Sequence, residues 1–278
     1  MAGTINDILK PIANDNVSGS TNIAIMSIDR ILAFLNAHND YRVDKLTDYV
    51  SKGLVKSQPS MGIILNLAYG LRSSGKSNNN KDVIKYLSTF KINIKRHAEQ
   101  VANNAFPVIK KYKKIMTYSS SKTVLDSLVY AKRHKAFFDV LVLESRPKNE
   151  GYDMAVELKS EGIHVDYTTD AMGMSMLSNG YVNAVFIGGD AIHKGNIIAK
   201  SGTTAIVTIC NAKSIPVYVL SVTEKRIPGI YASGFIIQDK PAGELHKFKN
   251  SANLKVINRY FEVVLQDHFN RVITDGDA

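Results

Sequence analysis

The sequence predicts an α/β protein, with an all-helical N-terminal domain followed by a doubly wound parallel-sheet domain. Over residues 1–110 apolar side chains recur every three to four positions, which is the period of an amphipathic helix. After residue 110, short apolar runs rich in β-branched residues alternate with helical patterns. This alternation is typical of parallel strands joined by crossover helices. We therefore place the two domains at 1–110 and 111–278.

The first domain contains four stretches with helical periodicity. Wide apolar stripes cover positions 23–35 and 61–71, and narrower ones run over 83–90 and 92–108. No alternating strand pattern occurs before Lys110, so helices alone are expected there.

The second domain contains five nearly continuous apolar runs, as expected of strands covered on both faces. They are 113–118, 138–145, 163–169, 183–188 and 215–220. Helical patterns separate them near 120–135, 149–161, 170–179 and 200–213. Because crossover connections return each strand to the same direction, the carboxyl ends of all five strands should lie at one edge of the sheet.

The composition excludes several classes of protein. Of the 278 residues, 45% are hydrophobic, so the chain can bury full cores and is not disordered. A single cysteine, Cys210, excludes a disulfide framework, and its apolar helical setting predicts that it packs as a small hydrophobe. The N-terminus has no signal core and no apolar run could span a bilayer, so we expect a cytoplasmic protein with no membrane partner.

The net charge favours phosphate-bearing partners. It is +10, from 35 Lys and Arg against 25 Asp and Glu, and would attract sugar phosphates, nucleotides or RNA. The basic residues are spread along the chain, with modest clusters at 110–114 and 132–135, so most belong to solvated faces and nucleic acid is not excluded as a partner. Zinc-ligand spacing is absent from the sequence, and we expect neither a metal nor a cofactor.

One motif matches a nucleotide-binding pattern, but the secondary structure predicted on either side of it differs from that of a phosphate-binding loop. Residues 70–77 read GLRSSGKS, as in a phosphate-binding loop. Such a loop follows a buried strand and opens a helix, whereas here a helical pattern precedes the motif and three asparagines follow it. We therefore expect a helix end with an exposed turn.

The most informative stretch is residues 185–203, VFIGGDAIHKGNIIAKSGT. An apolar run ends in two glycines and Asp190, a Lys-Gly-Asn turn follows, and Lys200 opens the next predicted helix. Glycines at the carboxyl end of a strand let a ligand or a backbone approach closely. Asp190 is therefore expected to face a crevice at the edge of the sheet.

Other polar segments should meet Asp190 at this edge. Ser119–Ser121 follow the first predicted strand, Arg146 follows the second and Asp170 follows the third. With Lys200, they could hold an anion through charge, hydroxyls and helix-start amides. Simpler roles stay open, since Ser119–Ser121 and Asp170 can cap helices. Arg146 can lie in a surface turn, and Asp190 can accept hydrogen bonds from its own turn.

Several motifs along most of the chain resemble those of one family. They are ESRP at 144–147 with Gly151, TTDAM at 168–172, IGGD, KGN and AKSGT within 187–203, IPVYVL at 215–220, and the closing residues Asn258, Phe261–Val263 and Ile273–Gly276. The family unites the alpha, beta and delta regulatory subunits of eukaryotic translation initiation factor 2B with isomerases of methylthioribose 1-phosphate and ribose 1,5-bisphosphate. The resemblance implies a Rossmann-like C-terminal domain and dimerisation.

The resemblance also implies a ligand site, at which this chain departs from the isomerases. Those enzymes place a cysteine and an aspartate on either side of the substrate, and here the aspartate is Asp190 but the cysteine is replaced by Ser119. A serine hydroxyl is a poor acid or base near neutral pH. The phosphate-gripping Arg-Gly-Ala loop reads Ser18-Gly19-Ser20, Arg-Pro-Thr reads Gln58-Pro59-Ser60, and Asn-Lys reads Ala199-Lys200.

These substitutions predict a scaffold without isomerase chemistry, because each lost arginine removes charge-assisted bonds worth about 1.5 to 3 kcal/mol. We expect a non-catalytic subunit similar to those of initiation factor 2B, a homodimer whose partners are initiation factor 2 or related subunits. We expect it to bind a phosphorylated small molecule through Ser18, Gly19, Ser20, Gln58, Ser119, Arg146, Asp190 and Lys200. The alternative is a divergent sugar-phosphate isomerase that pairs Asp190 with a group such as Tyr118 or His193.

Overall fold

The computed structural model describes residues 5–15, 18–38, 41–229, 235–245 and 253–277. The described residues before Lys114 form the helices α1 (Ile5–Asn14), α2 (Ser20–Ala37), α3 (Val43–Ser57), α4 (Gly62–Ser74) and α5 (Asn80–Ile109). The two wide apolar stripes lie on α2 and α4, whose Ile23, Ile28, Ile64 and Leu71 are fully buried in a shared core. The prediction of helices in this region is confirmed.

The rest of the chain forms two sheets. The strands are β1 (Lys114–Thr117), β2 (Asp139–Leu143), β3 (His164–Thr168), β4 (Ala184–Gly188), β5 (Ala191–His193), β6 (Asn196–Lys200), β7 (Val217–Leu220), β8 (Phe261–Leu265) and β9 (Arg271–Ile273). Six of them pair in parallel in the order β3-β2-β1-β4-β7-β9, which is the Rossmann order. The five predicted strands are confirmed as β1 to β4 and β7.

Helices cover both faces of the parallel sheet. They are α6 (Lys122–Arg133), α7 (Gly151–Ser160), α8 (Asp170–Ser178) and α9 (Thr203–Ala212). Successive residues of β2 alternate between two cores: Val140 packs in the core that includes α6 and α7, and Leu141 packs in the core that includes α8 and α9. This two-sided burial explains why the strands read as continuous apolar runs. Cys210 is buried in the second core, which raises the pKa of its thiol to about 12 and agrees with its predicted packing role.

The helix predicted over 200–213 is partly wrong. Lys200 does not open a helix, because it ends β6, and α9 begins only at Thr203. Lys194 and Gly195 both have positive φ, at 47° and 76°, and form the tight turn of an antiparallel β5-β6 hairpin. Strand β6 then pairs with β8, about 60 residues later. Pairing over that distance leaves no local pattern, so the hairpin and β8 were missed.

The GLRSSGKS motif is a helix end, as expected. Gly70 lies inside α4, residues Gly75–Ser77 form a single 3-10 turn, and Asn78 ends it with a left-handed φ of 51°. No helix among the described residues is both long enough and apolar enough to cross a membrane.

The 30-residue helix α5 packs in two cores. Val83, Leu87 and Ile94 lie in the core of the helical region, whereas Val101 and Ala105 lie in a core of the sheet. The helical region (5–109) and the sheet region (114–277) therefore share an element, and the domain division at residue 110 stays a prediction.

Candidate functional site

Polar residues from both regions line two adjoining cavities at the carboxyl edge of the parallel sheet. The first contains about 430 Å³ of space between atoms and the second about 620 Å³, and in both this space includes part that is open to solvent. They lie beside the ends of β1 and β4, neighbouring strands at which the order of the sheet reverses, which is where open α/β sheets bind ligands. Seven of the eight predicted ligand residues line them: Ser18, Gly19, Ser20, Gln58, Ser119, Asp190 and Lys200.

Three helices begin at the first cavity. Its lining includes Ser20 at the start of α2, Lys122 at the start of α6 and Thr203 at the start of α9. The amides of α9 are occupied, since the Glu262 carboxylate accepts hydrogen bonds from Gly202 N and Thr204 N at 3.1 and 2.6 Å. Gly19 precedes α2 and has no side chain to cap it, so among the described residues no side-chain cap occupies the first backbone amides of α2, and an anion could accept hydrogen bonds from them.

Gly188 keeps the end of β4 close to the start of α6. A Cβ at this position would lie 2.4 Å from Ser121 Oγ, which is too close for any other residue type. Ser121 is itself the N-cap of α6 and accepts a hydrogen bond from Val124 N at 3.5 Å. The glycine at the end of β4 therefore allows close contact with the start of α6, another segment of the protein at the cavity wall.

Asp190 is half-buried between the two regions. Its Oδ1 accepts a 2.7 Å hydrogen bond from Ser20 Oγ, and its backbone carbonyl accepts a 2.9 Å bond from Gly62 N. Its own amide donates to the carbonyl of Ile198 at 2.7 Å, in the facing hairpin. The carboxylate is thus fixed in the cavity wall by α2, while the backbone beneath it is fixed by α4 and β6.

Lys200 and Ser119 meet at a carboxylate that was not predicted. Lys200 Nζ lies 2.6 Å from Glu150 Oε1, and Ser119 Oγ donates to the same oxygen at 2.9 Å. The pair is nearly enclosed, with 6% and 11% of the two side chains exposed. Glu150 Oε2 is buried without a partner among the described residues. The charge of Lys200 is therefore balanced within the protein, and one carboxylate oxygen is left to accept a donor.

Gln58 is committed to holding α1. Its Nε2 donates at 3.0 Å to the carbonyls of both Ile12 and Asp15, where that helix ends. Gln58 is 4% exposed, so its amide group makes these bonds in the protein interior. Gln58 lines the second cavity, but its donor group serves the fold.

Arg146 does not join the cavities. Its Nη2 donates to the carbonyl of Leu245 at 3.3 Å, and the residue lies in an exposed turn, in line with the surface alternative. Asp170 is not an N-cap: Thr169 caps α8, and the Asp170 carboxylate accepts the amides of Ser145 and Arg146 at 2.7 and 2.8 Å. These bonds fix the turn after β2, so Asp170 and Arg146 lie near each other while neither lines the cavities.

The two proposed partners of Asp190 for isomerase chemistry are occupied elsewhere. The Tyr118 hydroxyl donates to the carbonyl of Ser201 at 2.6 Å, and burial raises its pKa above the ordinary value. His193 Nδ1 lies 3.1 Å from the carbonyl of Ile227, and His193 lines neither cavity. Neither group is placed to exchange a proton with a ligand beside Asp190.

Sequence reasoning missed four lysines that line the cavities, which are Lys122, Lys148, Lys225 and Lys240. Lys225 lines the first cavity and is 4% exposed; burial lowers the pKa of its ammonium group, and the attraction of Asp190 partly offsets the shift. Lys240 lines the second cavity, 5.0 Å from the centre of the Tyr260 ring. Neither Lys225 nor Lys240 belongs to a sequence motif, so in the sequence they are indistinguishable from solvated lysines.

The chain matches a family model over most of its length. Residues 16–276 fit the model of the initiation factor 2 subunit family. The chain belongs to this family. Among its relatives are proteins of both functional types that the resemblance suggested.

A translation-factor relative and an isomerase relative are about equally similar. The first is the putative translation initiation factor eIF-2B subunit 2-like of Pyrococcus horikoshii, 25% identical over 97% of this chain and 94% of that protein. The second is the ribose 1,5-bisphosphate isomerase of Archaeoglobus fulgidus, 24% identical over 96% of this chain and 87% of that protein. Family membership alone does not separate a factor from an enzyme.

The fold is shared with solved structures. The crystal structure of Pyrococcus horikoshii translation initiation factor eIF-2B superposes with a TM-score of 0.86, at 23% identity over 98% of this chain and 94% of that chain. The tetrameric eIF2B-beta2-delta2 complex from C. thermophilum gives 0.76, at 17% identity over 98% and 90%. Members of the family thus form complexes with other subunits.

Proposed function

We propose that this protein is a non-catalytic subunit similar to those of initiation factor 2B, a dimeric scaffold that binds a phosphorylated small molecule. The observation that carries the proposal is the state of Ser119. Its hydroxyl stands where the isomerases have a cysteine, and it donates to Glu150, which is itself paired with Lys200. This position supports a buried polar network instead of supplying an acid or base.

Isomerisation of an aldose to a ketose needs groups that take a proton from one carbon and return it to the next. Asp190 is one such group. The lining residues include no cysteine, since Cys210 is buried in the core between the sheet and α9. The Tyr118 hydroxyl is bonded to Ser201, and besides Tyr118 and Asp190 the ionisable groups of the described lining are carboxylates, lysines and Tyr260, with no thiol among them. The geometry therefore supports binding better than turnover.

The cavities suit a phosphorylated ligand with hydroxyl groups. The open amides of α2 and the hydroxyl of Ser20 favour an anion at one end. Glu150 lines the second cavity, and its buried Oε2, which has no partner among the described residues, is left to accept a hydrogen bond from a ligand hydroxyl. In the proposed role the protein acts in the cytoplasm with initiation factor 2 or related subunits.

Turnover measurements test the proposal. We expect no conversion of ribose 1,5-bisphosphate or 5-methylthioribose 1-phosphate by the purified protein. Conversion that disappears in an Asp190→Asn variant of unchanged stability would overturn the non-catalytic role.

Light scattering tests the dimer. It should give a mass near twice 30.7 kDa, and the mass of a single chain would contradict the proposed dimer.

The alternative is a divergent sugar-phosphate isomerase. It is favoured by the survival of Asp190 in the cavity wall, oriented by Ser20, and by the isomerase among the relatives. The same assay separates the two functions. A Ser119→Cys variant adds a sharper arm: activity gained by this single change would show that only the thiol is missing.

A further inference from the structure

The edge of the parallel sheet opposite the cavities carries the two basic clusters of the sequence. Residues 110–114 lie between the end of α5 and the start of β1, and residues 132–135 end α6 and lead toward β2. Strands β1 and β2 are parallel neighbours that pair Lys114 with Asp139, and Asp139 N donates to the carbonyl of Lys113 at 2.9 Å. Because neighbouring parallel strands begin at the same edge, the fold brings the two clusters side by side.

Aromatic rings join the two clusters. The ring centre of Phe106 in α5 lies 5.6 Å from that of His134 and 6.0 Å from that of Tyr130. Tyr130 and His134 stack on each other at 3.9 Å, and Lys110 Nζ lies 5.3 Å from the centre of the Phe106 ring. A lysine of the first cluster and the histidine of the second therefore flank the same ring.

Most of these cations have no partner within the described part of the chain. Arg133 pairs with Glu161 at 2.8 Å, and Lys114 pairs with Asp166 at 2.8 Å. Among the described residues no salt bridge or side-chain hydrogen bond holds the ammonium groups of five other lysines, which are Lys110, Lys111, Lys113, Lys132 and Lys135. We call these five lysines, together with His134 and Phe137, the basic edge. Its uncompensated charge favours a polyanionic partner.

Phe137 adds an exposed ring to the basic edge. It lies in the turn between α6 and β2 and is 81% exposed, more than any other large apolar side chain of the described residues. Its neighbour Phe138 is 4% exposed and packs in the core beside α6, so the turn is anchored. The Phe137 ring is therefore held in solvent close to Lys135 in the chain, where a planar, negatively charged partner can use both groups.

We propose that the basic edge binds single-stranded RNA. Proteins that hold single strands combine lysines for the phosphates with aromatic rings on which unpaired bases stack, and the basic edge presents both. An acidic peptide would use the lysines and leave the Phe137 ring without a partner. A membrane surface favours an apolar face beside the cations, whereas among the described residues of this edge Phe137 is the one exposed large apolar side chain.

The basic edge is separate from the cavities. None of its residues lines them, since the cavities lie at the carboxyl edge of the sheet and the basic edge lies where the strands begin. The inference therefore goes beyond the proposed function and depends neither on the ligand nor on turnover.

Fluorescence anisotropy with a short labelled oligouridylate tests the proposal. The unmodified protein should bind it, and a plot of log affinity against log salt concentration should have a slope of about −2 to −3.5, as expected for about three to five phosphate contacts. Lys111→Gln combined with Lys135→Gln, one change in each cluster, should weaken binding roughly tenfold and make the slope less negative by about 1.4. Phe137→Ala should weaken binding about fivefold or more and leave the slope unchanged, because stacking carries no charge.

Lys81→Gln combined with Lys85→Gln is the matched control. This variant loses the same charge from exposed lysines at the other end of α5, where Lys85 lies roughly 37 Å from Lys110 at about 1.5 Å of rise per residue. Its affinity for the oligouridylate should be nearly that of the unmodified protein. All five substitutions are at exposed positions, so circular dichroism and the melting temperature should be unchanged.

Four results would overturn the proposal. The first is no binding of the oligouridylate by the unmodified protein, and the second is an equal loss of affinity in the control pair, which would indicate attraction to the net charge of the whole protein. The third is full affinity in Phe137→Ala, and the fourth is equal affinity for duplex RNA, whose bases are not free to stack. Binding of anionic vesicles or polyglutamate without binding of RNA would assign the edge to a membrane or to an acidic protein instead.

Discussion

The two walls of the cavities differ in charge. The wall from the helical region consists of Ser18–Thr21, Gln58, Ser60 and Met61, with Asp15 as its only ionisable group among the described residues. Every cation of the lining comes from the sheet region. In the proposed function, the lysines of the sheet region would attract an anionic ligand, and the amides and hydroxyls of the helical region would orient it.

Hydrogen bonds from the helical region hold the wall that comes from the sheet region. Ser20 bonds to Asp190, Gly62 N donates to the Asp190 carbonyl, and Asn66 holds the turn that carries Lys225. The wall from the helical region therefore fixes the positions of the charged groups opposite it. Some substitutions remove a charged group, and others remove a contact that holds such a group in place. Comparing their effects on stability and phosphate binding should show which contribution each residue makes.

The largest effect is expected from Lys200→Met. The change leaves the buried Glu150 carboxylate without its counter-charge, which should lower the free energy of unfolding by about 3 to 5 kcal/mol. Urea denaturation measures the loss. Adding Glu150→Gln should restore part of it, while Lys122→Met, at a half-exposed ion pair, should cost less than about 1 kcal/mol. A small effect of the single change would mean that the charge of Lys200 is free for a ligand.

Gly62→Ala should force the two walls apart. A Cβ on Gly62 would lie 2.4 Å from the carbonyl oxygen of Lys225 and 3.1 Å from Ala191 Cβ. We expect a loss of about 1 to 3 kcal/mol and a weaker phosphate response, since the turn must move. The control is Gly229→Ala, where a Cβ meets open space. Unchanged stability and binding in Gly62→Ala would show that the position of the turn is not set by α4.

Gln58→Ala should lower stability without affecting binding. Two carbonyls at the end of α1 lose their buried donor, at a cost of about 1 to 3 kcal/mol. Phosphate titration of the same variant should give the affinity of the unmodified protein. A variant of normal stability that fails to bind phosphate would instead make Gln58 a ligand contact.

The smallest effect is a pH dependence from Lys225. Burial lowers its pKa in the folded state below 10.5, so in that window the unfolded chain binds more protons and stability contributed by this group rises with pH. The stability advantage of Lys225→Met should therefore shrink as pH approaches 10.5. A difference between the two proteins that is constant with pH would contradict an unpaired buried ammonium.

The sequence predicted the parts of the fold that depend on local periodicity. The stripes of α2 and α4 and the five apolar strands carry their own pattern, so they were found. The hairpin of β5 and β6 was missed because its pairing with β8 spans about 60 residues, and a strand partner at that distance leaves no trace in spacing.

The sequence indicated the position of the polar residues better than their contacts. Seven of the eight predicted ligand residues line the cavities, and their role in binding a ligand stays a prediction. Gln58 serves α1 and Arg146 faces a surface turn, because the partner of a polar group is set by tertiary packing. Glu150 and Lys225 could not be recognised, since only burial distinguishes them from solvated charges.

Helix α5 has a consequence for how the molecule melts. At 30 residues and about 1.5 Å of rise per residue, it runs roughly 45 Å, with its first half in one core and its last turns in the other. Losing either core exposes apolar side chains on the same continuous helix. Heating should therefore give one calorimetric transition in place of two, with the helix acting as the cooperative link between the regions.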